Sequence, residues 1–438
     1  MSIGSHVVLV FTLQVAVLLA VALCLSRLAA RIGVPSVVAE LMTGVLLGPS
    51  VLGFVPGHSW LWPNDPAQAR MMDAVTQLGV LLFIGIAGAH IDLPLIRRRG
   101  RTVVVLGGFA MALPLALGIA LGYGLPSQFV GDGADRLRFA LLLGVVMAVS
   151  AIPVIAKTFI ELRMLHRDVG QLTLVAAAVG DVIAWLLLSV VASMAVAGLH
   201  GPHLLMGLLY LAGFLLLAAL VIRPLAGRAL KRAADDEGSG TTISVAVVVI
   251  LASAAASHAL GLEAVLGAFV AGIVLSSSGS AVAAKLAPLR TVVLAVFAPL
   301  FLAGAGLKMD LSVLGEPSVV VVAAAVLALA VAGKFAGAYL GARLSRLSHW
   351  EGLALGAGLN ARGAVEIVVA TIGLQIGVLN TTMYTIVVLV AVVTSLMAPP
   401  MLRWAMARVE QRAEENLRET EMAVWSDQPA YANRSAQN

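Results

Sequence analysis

The sequence predicts an all-α polytopic membrane protein with about thirteen transmembrane helices. Of its 438 residues, 60% are hydrophobic and 12% are charged, and the mean hydropathy is +1.00. A soluble domain of this length needs more charge to cover its surface. Long apolar runs recur along nearly the whole chain, and the basic residues concentrate in the short connections between them. The net charge of +5 therefore indicates membrane topology rather than a nucleic-acid partner.

The length of each apolar run and its flanking helix breakers predict the individual spans. They lie near residues 7–29, 34–54, 73–91, 103–124, 138–157, 169–198, 203–223, 242–259, 261–278, 290–308, 317–342, 349–376 and 381–402. The amino terminus MSIGSH lacks the basic region of a signal peptide, so the first run is expected to remain as a helix. The single cysteine, Cys24, cannot form a disulfide within the chain, and neither a zinc site nor another cofactor is expected.

The distribution of basic residues predicts the topology. With the amino terminus outside, the cytoplasmic connections hold 17 basic residues and the opposite connections hold 4. This ratio follows the positive-inside rule, and an odd number of spans then places the carboxyl terminus in the cytoplasm. We expect a multi-pass protein of the cell (inner) membrane with a transmembrane domain over residues 1–402 and a short polar cytoplasmic tail over 403–438.

Two spans carry matching interruptions. The thirteen spans divide into six, one linking span and six. Each span of the first six and the span seven places later run in opposite directions, as in inverted-repeat transporters. The fifth span is interrupted near Ser150 by Pro153, which removes an amide donor, and the twelfth is interrupted within residues 356–363. Three residues are expected to shape the second break: Gly358, Asn360 and Gly363. Broken helices at corresponding places in two halves indicate a binding site.

One carboxylate, Asp181, lies inside the sixth span. It follows Asp168, at the start of that span, by 13 residues. This separation is roughly 20 Å of helix, which places Asp181 near the middle of a bilayer core about 30 Å thick. A carboxylate there is costly unless water, a proton or a cation compensates it, although a hydrogen bond across the bundle is a structural alternative. We interpret Asp181 as the ion- and proton-binding residue.

Three further charged residues lie within spans and are interpreted as charge partners of that site: Lys334, Arg362 and Glu366. Lys334 lies roughly 13 Å of helix from the basic end of its span, so its stem could reach the interface, or its ammonium could pair with a carboxylate near the site. Arg362 and Glu366 are four residues apart and face each other on one helical turn. An ion pair within the helix is favoured over direct cation binding.

Seven stretches resemble the monovalent cation:proton antiporter-2 family, which includes the Kef-type and plant cation/proton exchanger relatives. They are ELMTGVLLGPSVLG (40–53), LGVLLFIGIAGAHIDL (78–93), MAVSAIPVIAKTFIEL (147–162), AAAVGDVIAW (176–185), LEAVLGAFVAGIVL (262–275), FAPLFLAGAGLKMDL (297–311) and LNARGAVEIVVATIGLQIGV (359–378). Their order and spacing agree with the family over nearly the whole chain.

The resemblance implies the sodium/proton antiporter-like fold, in which two six-helix inverted repeats contribute two crossed broken helices. It also implies a homodimer in which a moving core works against a scaffold. The core would hold the spans at about 103–198 and 317–402, and the scaffold those at about 7–91 and 242–308. The span at 203–223 would link the two halves.

The resemblance also implies roles for individual residues. Asp181 matches the ion-binding aspartate of the family, Lys334 matches the basic residue of the core, and Ser150 matches a hydroxyl beside the first break. One position departs from the family, because Gly180 stands where Asn or Asp usually precedes the aspartate.

We therefore expect an antiporter in the lipid bilayer that exchanges Na⁺ or K⁺ for H⁺ by alternating access. Proton and cation would compete for Asp181, and Ser150 with freed backbone carbonyls would complete an oxygen shell for Na⁺ or K⁺. Two other classes are considered: a gated K⁺ channel or uniporter, and a Na⁺-coupled symporter of an organic solute. An enzyme is not expected, because the sequence has no recognisable nucleophile–base pair or metal-ligand cluster.

Overall fold

The computed structural model describes residues 5–32, 34–48, 51–52, 66–89, 100–132, 134–197, 201–236, 238–278, 280–412 and 415–416. Within these residues the chain is helical, apart from turns, connections and an isolated β-bridge between Val130 and Leu379. The predicted all-α fold is confirmed. Most of the predicted polar tail lies outside the described residues.

The first half of the chain forms helices that contain the first broken span. They are α1 (Ser5–Arg31), α2 (Ser36–Leu47), α3 (Pro66–Ala89), α4 (Gly100–Gly124), α5 (Arg136–Ala148), α6 (Ile152–Glu161) and α7 (Asp168–Ala197). Helix α8 (Gly201–Leu217) then continues through a π-helical turn at Ala218–Ile222 into α9 (Arg223–Asp235).

The second half forms helices that contain the second broken span. They are α10 (Gly240–Ala259), α11 (Ala264–Ser276), α12 (Ser280–Lys285), α13 (Ala287–Val292), α14 (Ala298–Leu307), α15 (Pro317–Leu344), α16 (His349–Leu359), α17 (Ala364–Gln375) and α18 (Thr381–Met406). A π-helical turn at Val293–Phe297 joins α13 to α14.

Nine helical segments of the described chain are long and apolar enough to cross a membrane. Each predicted span coincides with one helix or with a succession of shorter helices. The count of thirteen crossings stays a prediction, because several of these helices are too short to span a bilayer alone.

The linking helix extends beyond the predicted end at residue 223 and reaches Asp235. Its continuation, α9, is amphipathic: Ala226 and Leu230 are buried, whereas Arg228 and Lys231 are exposed. A hydropathy criterion ends the span where charge begins, but a buried apolar stripe allows the helix to continue past that point.

The helices pack in two groups. In one group α4 packs against α5 and α15, and α7 packs against α4, α5 and α16. In the other group α2 packs against α1 and α14, and α11 packs against α3 and α10. Glycines permit the close contact between α2 and α14, since a Cβ on Gly44 would lie 1.8 Å from the Ala303 carbonyl oxygen.

After α18 the chain folds back onto the first turns of α7 and α16. The carboxylate of Glu415 accepts hydrogen bonds from the Arg167 guanidinium at 2.9 Å and from the Asp168 amide at 2.7 Å. Arg412 donates to Glu351 at 3.0 Å and to Asp168 at 3.4 Å. These five residues, called the tail clasp below, tie the carboxyl-terminal segment to α7 and to α16, which ends at the second break.

Candidate ion site

Two broken helices cross at the centre of the group that contains α7. Helical geometry is lost at residues 149–151, between α5 and α6, and at residues 360–363, between α16 and α17. The gaps are hydrogen-bonded to each other: the Ala151 amide donates to the Ala361 carbonyl at 3.1 Å, and Ser150 Oγ donates to the Leu359 carbonyl at 2.8 Å.

Pro153 lies just beyond the first gap, as the second residue of α6. A first-turn amide has no partner within its own helix, so the missing donor costs little there, and the fixed φ of proline favours helix initiation. Proline therefore marks where the second half-helix begins, and the gap precedes it.

The three predicted residues of the second break occupy different places. Gly358 lies in the last turn of α16, and Asn360 is the residue that follows its end. Gly363 precedes α17 with φ of +149°, a conformation that L side chains rarely adopt. The Asn360 amide is fully buried, and neither of its polar side-chain atoms bonds to a described residue.

Two cationic side chains cap the carboxyl end of α5. Arg362 donates through its two terminal nitrogens to the carbonyls of Val146 at 3.0 Å and Met147 at 2.6 Å, and the Lys334 ammonium donates to the carbonyl of Ala148. These carbonyls lack partners within α5 because the helix ends there. The negative end of the helix dipole also favours positive charge at this place.

Lys334 is 2% exposed and donates a second hydrogen bond to the Ala110 carbonyl of α4 at 3.3 Å. It therefore does not reach the interface. No described carboxylate lies within ion-pair distance of its ammonium, although the charge interacts electrostatically with Asp181 and Glu366. The direct partners of Lys334 are backbone carbonyls, which the sequence did not indicate.

Arg362 and Glu366 form the ion pair that their spacing suggested, with 3.2 Å between Arg362 Nη1 and Glu366 Oε1. Both side chains are buried. Sequence reasoning missed Ser395 of α18, whose hydroxyl donates to the Arg362 carbonyl in the gap. No local pattern marks that serine, because its partner lies 33 residues away.

Asp181 lies on α7 and is 2% exposed. Its Oδ1 atom makes no hydrogen bond to any described residue. A buried carboxylate oxygen without a protein donor is available for a proton or a cation.

A narrow cavity lies beside α7 at Gly180, the residue before Asp181. Gly180, Ser150, Lys334 and Leu359 contribute to its lining. A Cβ built on Gly180 would meet no atom within 4 Å. The glycine that departs from the family pattern therefore leaves open space between the ion-site helix and the first break.

The chemistry of these groups suits a hard monovalent cation. The described residues contain no cluster of three or more His, Cys, Asp or Glu side chains that could hold a metal ion. What they offer is one carboxylate, the Ser150 hydroxyl and backbone carbonyls at the gaps. Oxygen ligands with a single negative charge fit an alkali cation better than a transition metal.

Crossed broken helices beside a buried carboxylate define a secondary transporter built from inverted repeats. Residues 16–408 match the family model described as sodium/hydrogen exchanger, transmembrane. The chain belongs to this family.

Proteins of similar sequence carry names that agree with this family. The chain is 29% identical to cation/H(+) antiporter 17 of Arabidopsis thaliana over 401 residues, which cover 91% of this chain and 48% of the plant protein. It is 25% identical to the Na(+)/H(+) antiporter NhaS4 of Synechocystis over 403 residues, which cover 91% of this chain and 97% of that protein. The chain thus spans about half the length of its plant relatives.

The fold is that of a solved antiporter. The structure of the sodium proton antiporter MjNhaP1 from Methanocaldococcus jannaschii superposes with a TM-score of 0.68 at 15% sequence identity. The superposition covers 92% of this chain and 97% of that one. This likeness confirms the antiporter-like fold expected from the sequence.

Proposed function

We propose that the protein is a secondary active antiporter that exchanges Na⁺ or K⁺ for H⁺ by alternating access. The observation that carries the proposal is the buried Asp181 carboxylate, which has an oxygen without a partner among the described residues and lies beside two crossed helix breaks. A proton neutralises this carboxylate covalently, and a cation neutralises it by coordination. The two ligands exclude each other, so the site carries one or the other in each half-cycle.

Ser150 supports a cation ligand shell next to Asp181. Its hydroxyl proton is donated to the Leu359 carbonyl, so the lone pairs of Oγ remain for a cation. The residue also lines the cavity beside the ion-site helix. A hydroxyl oriented in this way is a preorganised neutral ligand for Na⁺ or K⁺.

Lys334 and Arg362 support the site by holding the breaks in place. Each bonds to the carboxyl end of α5, and Arg362 also bonds to Glu366 of α17. The two residues therefore connect α15 and the second gap to the first gap. In this proposal they position the ion site and set its electrostatic potential, and Asp181 carries the ligand.

The two packing groups support a moving core and a fixed scaffold. We assign α4–α7 and α15–α18 to the core, and α1–α3 and α10–α14 to the scaffold, which also provides the homodimer interface. The amino terminus lies outside and the carboxyl terminus lies in the cytoplasm of this inner-membrane protein. The names of the relatives describe exchange of Na⁺ or other cations for H⁺, which agrees with this function.

The test is cation-driven proton movement in proteoliposomes. An outward or inward Na⁺ or K⁺ gradient is expected to move protons in the opposite direction in vesicles that contain the wild-type protein. Asp181→Asn is expected to abolish this movement, because the amide cannot exchange a proton for a cation. The matched control is Asp235→Asn, which changes an exposed carboxylate at the end of α9.

Near-normal exchange by Asp181→Asn, in protein that remains folded and inserted, would contradict the proposal. Cation flux without proton counterflow would instead identify a uniporter. Uptake of an organic solute that depends on Na⁺ would identify a symporter.

A further inference from the structure

Three buried polar side chains form a row on one face of α7. Asp181, Trp185 and Ser189 are spaced four residues apart, so they lie one above another along the helix. Their exposed fractions are 2%, 0% and 1%. Each has a polar atom, Oδ1, Nε1 and Oγ respectively, that bonds to no described residue. The row runs from the ion site towards the carboxyl end of α7.

Ser189 differs from several buried hydroxyls in this bundle and shares the lack of a partner with Thr158 of α6. Buried serine and threonine side chains in helices usually donate to the carbonyl four residues earlier. Thr43, Thr173 and Thr394 do so, at 3.0, 2.7 and 2.7 Å. Thr173 lies on α7, about two turns before Asp181. Ser189, on the same helix, makes no such bond to a described residue.

The row lies where the two packing groups meet. The indole ring of Trp185 packs against the ring of Phe269 on α11, with 6.4 Å between centroids and 49° between planes. Helix α11 belongs to the scaffold group and α7 to the core group. A relative movement of the groups would separate this aromatic pair and expose the row.

The cavity lies on the other side of the ion site. The residues of α7 that line the cavity are Ala176, Ala177 and Gly180, and all three precede Asp181 in the helix. Open space thus lies beside α7 on the amino side of Asp181, whereas packed aromatic rings cover the polar row towards the carboxyl end. This asymmetry is what alternating access requires of a single conformation.

We propose that Trp185 and Ser189 line the half of the ion path between Asp181 and the carboxyl end of α7, and that the Trp185–Phe269 contact closes it in this conformation. The occupants of this half-path are water, a proton and a hydrated alkali cation. In the alternate conformation water supplies the hydrogen-bond partners that Nε1 and Oγ lack. The inference rests on the proposed role of Asp181.

The test is the access of water-soluble reagents to position 189. Cys24 is the single cysteine of the chain and is exposed on α1, away from the row, so Cys24→Ser provides the background. Ser189→Cys in this background is treated in vesicles with a small, membrane-impermeant methanethiosulfonate, added on each side in turn. Labelling is followed by mass, with and without Na⁺ or K⁺.

Three further variants make the result specific. Ser253 lies on α10, outside the row, and is 2% exposed. Ser253→Cys in the same background therefore controls for buried serines in general. Trp185→Ala removes the ring that closes the path, whereas Trp185→Phe keeps a ring there. Folding of each variant is checked by its thermal unfolding in detergent.

We expect Ser189→Cys to be labelled at least about tenfold faster than Ser253→Cys, from the compartment at the carboxyl end of α7, at a rate that the cation changes. Trp185→Ala is expected to accelerate this labelling, and Trp185→Phe is not. Equal labelling of Ser189→Cys and Ser253→Cys would overturn the proposal, as would a rate that Trp185→Ala leaves unchanged. Labelling requires no exchange activity, so its outcome is independent of whether Asp181→Asn transports.

Discussion

The buried cations of the site bond mainly to backbone. Arg362 donates to two carbonyls at the end of α5 and to a third, from Ala330 of α15, at 3.4 Å, besides its bond to Glu366. Removal of its side chain would leave several buried acceptors and one buried carboxylate unsatisfied. Such groups retain their desolvation cost once their partner is lost.

This difference in partners predicts unequal effects in a double-mutant cycle. Arg362→Ala is expected to lower the free energy of unfolding more than Glu366→Ala, because Arg362 holds three carbonyls in addition to Glu366. The double variant should lose less than the sum of the single variants, with a coupling energy of about 0.5–3 kcal/mol. Thermal or denaturant unfolding in detergent measures each term.

The control for this cycle is Arg290→Ala, which removes an exposed arginine on α13. Additive losses for Arg362 and Glu366 would show that the ion pair contributes nothing of its own. Equal losses for the two single variants would show that the carbonyl contacts of Arg362 are unimportant.

Sequence spacing revealed the Arg362–Glu366 pair but not the caps of α5. An i, i+4 contact follows from the period of a helix, so it can be read directly. The bond from Lys334 to Ala148 joins residues separated by 186 positions, and that from Arg362 to Met147 joins residues separated by 215. Contacts of this kind depend on how the helices cross, which a single sequence does not specify.

At the scale of helices, the breaks were predictable because they rest on local chemistry. Proline and glycine alter backbone freedom wherever they stand, so Pro153 and the glycines around Asn360 indicated where the fifth and twelfth spans stop. The observed gaps, at residues 149–151 and 360–363, differ by a few residues from the predicted interruptions. Proline was read as the interruption, although it starts the next half-helix.

The segment after α18 shows where composition misleads. Its residues are polar, and a polar segment after the last span suggests a solvated tail. Glu415 is nevertheless 2% exposed, because its carboxylate accepts hydrogen bonds from Arg167 and from the backbone amide of Asp168 at the start of α7. A carboxylate at a helix amino terminus also meets the positive end of its dipole.

The tail clasp predicts that Glu415 stabilises the core. Glu415→Gln keeps the size of the side chain but removes the charge that Arg167 requires. We expect a loss of about 1.5–3 kcal/mol in the free energy of unfolding, the range for a buried hydrogen bond to a charged group. Thermal unfolding in detergent measures it as a lower melting temperature.

Glu410→Gln is the matched control, since Glu410 is an exposed glutamate of the same segment. It should unfold like the wild type. If Glu415→Gln and Glu410→Gln unfold alike, the clasp does not hold the segment on α7.

At the scale of the whole molecule, the formal charges of the core limit the stoichiometry. Four of the buried ionisable residues lie well inside the predicted spans of the core, namely Asp181, Lys334, Arg362 and Glu366. If the last three keep their charge states throughout the cycle, Asp181 with a proton and Asp181 with an alkali cation give the core the same net charge. Both half-cycles then move the same charge across the membrane in opposite directions.

We therefore expect one-for-one, electroneutral exchange. The test is Na⁺- or K⁺-driven proton flux in proteoliposomes with the membrane potential clamped at different values. The rate and reversal point of the wild type should not change with potential. A dependence on potential would contradict this, and Lys334→Gln would then show whether the lysine carries the second proton.

Gly180 provides the variant that should change the stoichiometry. The open space around its Cα accommodates a Cβ, and the neighbouring cavity is lined by Lys334, so Gly180→Asp adds a carboxylate near the ammonium without a backbone clash. A second proton carrier beside Asp181 should make exchange dependent on potential. Gly180→Ala fills the same space without a charge and should remain electroneutral. If Gly180→Asp and Gly180→Ala respond to potential alike, the residue before Asp181 does not determine how many protons cross with each cation.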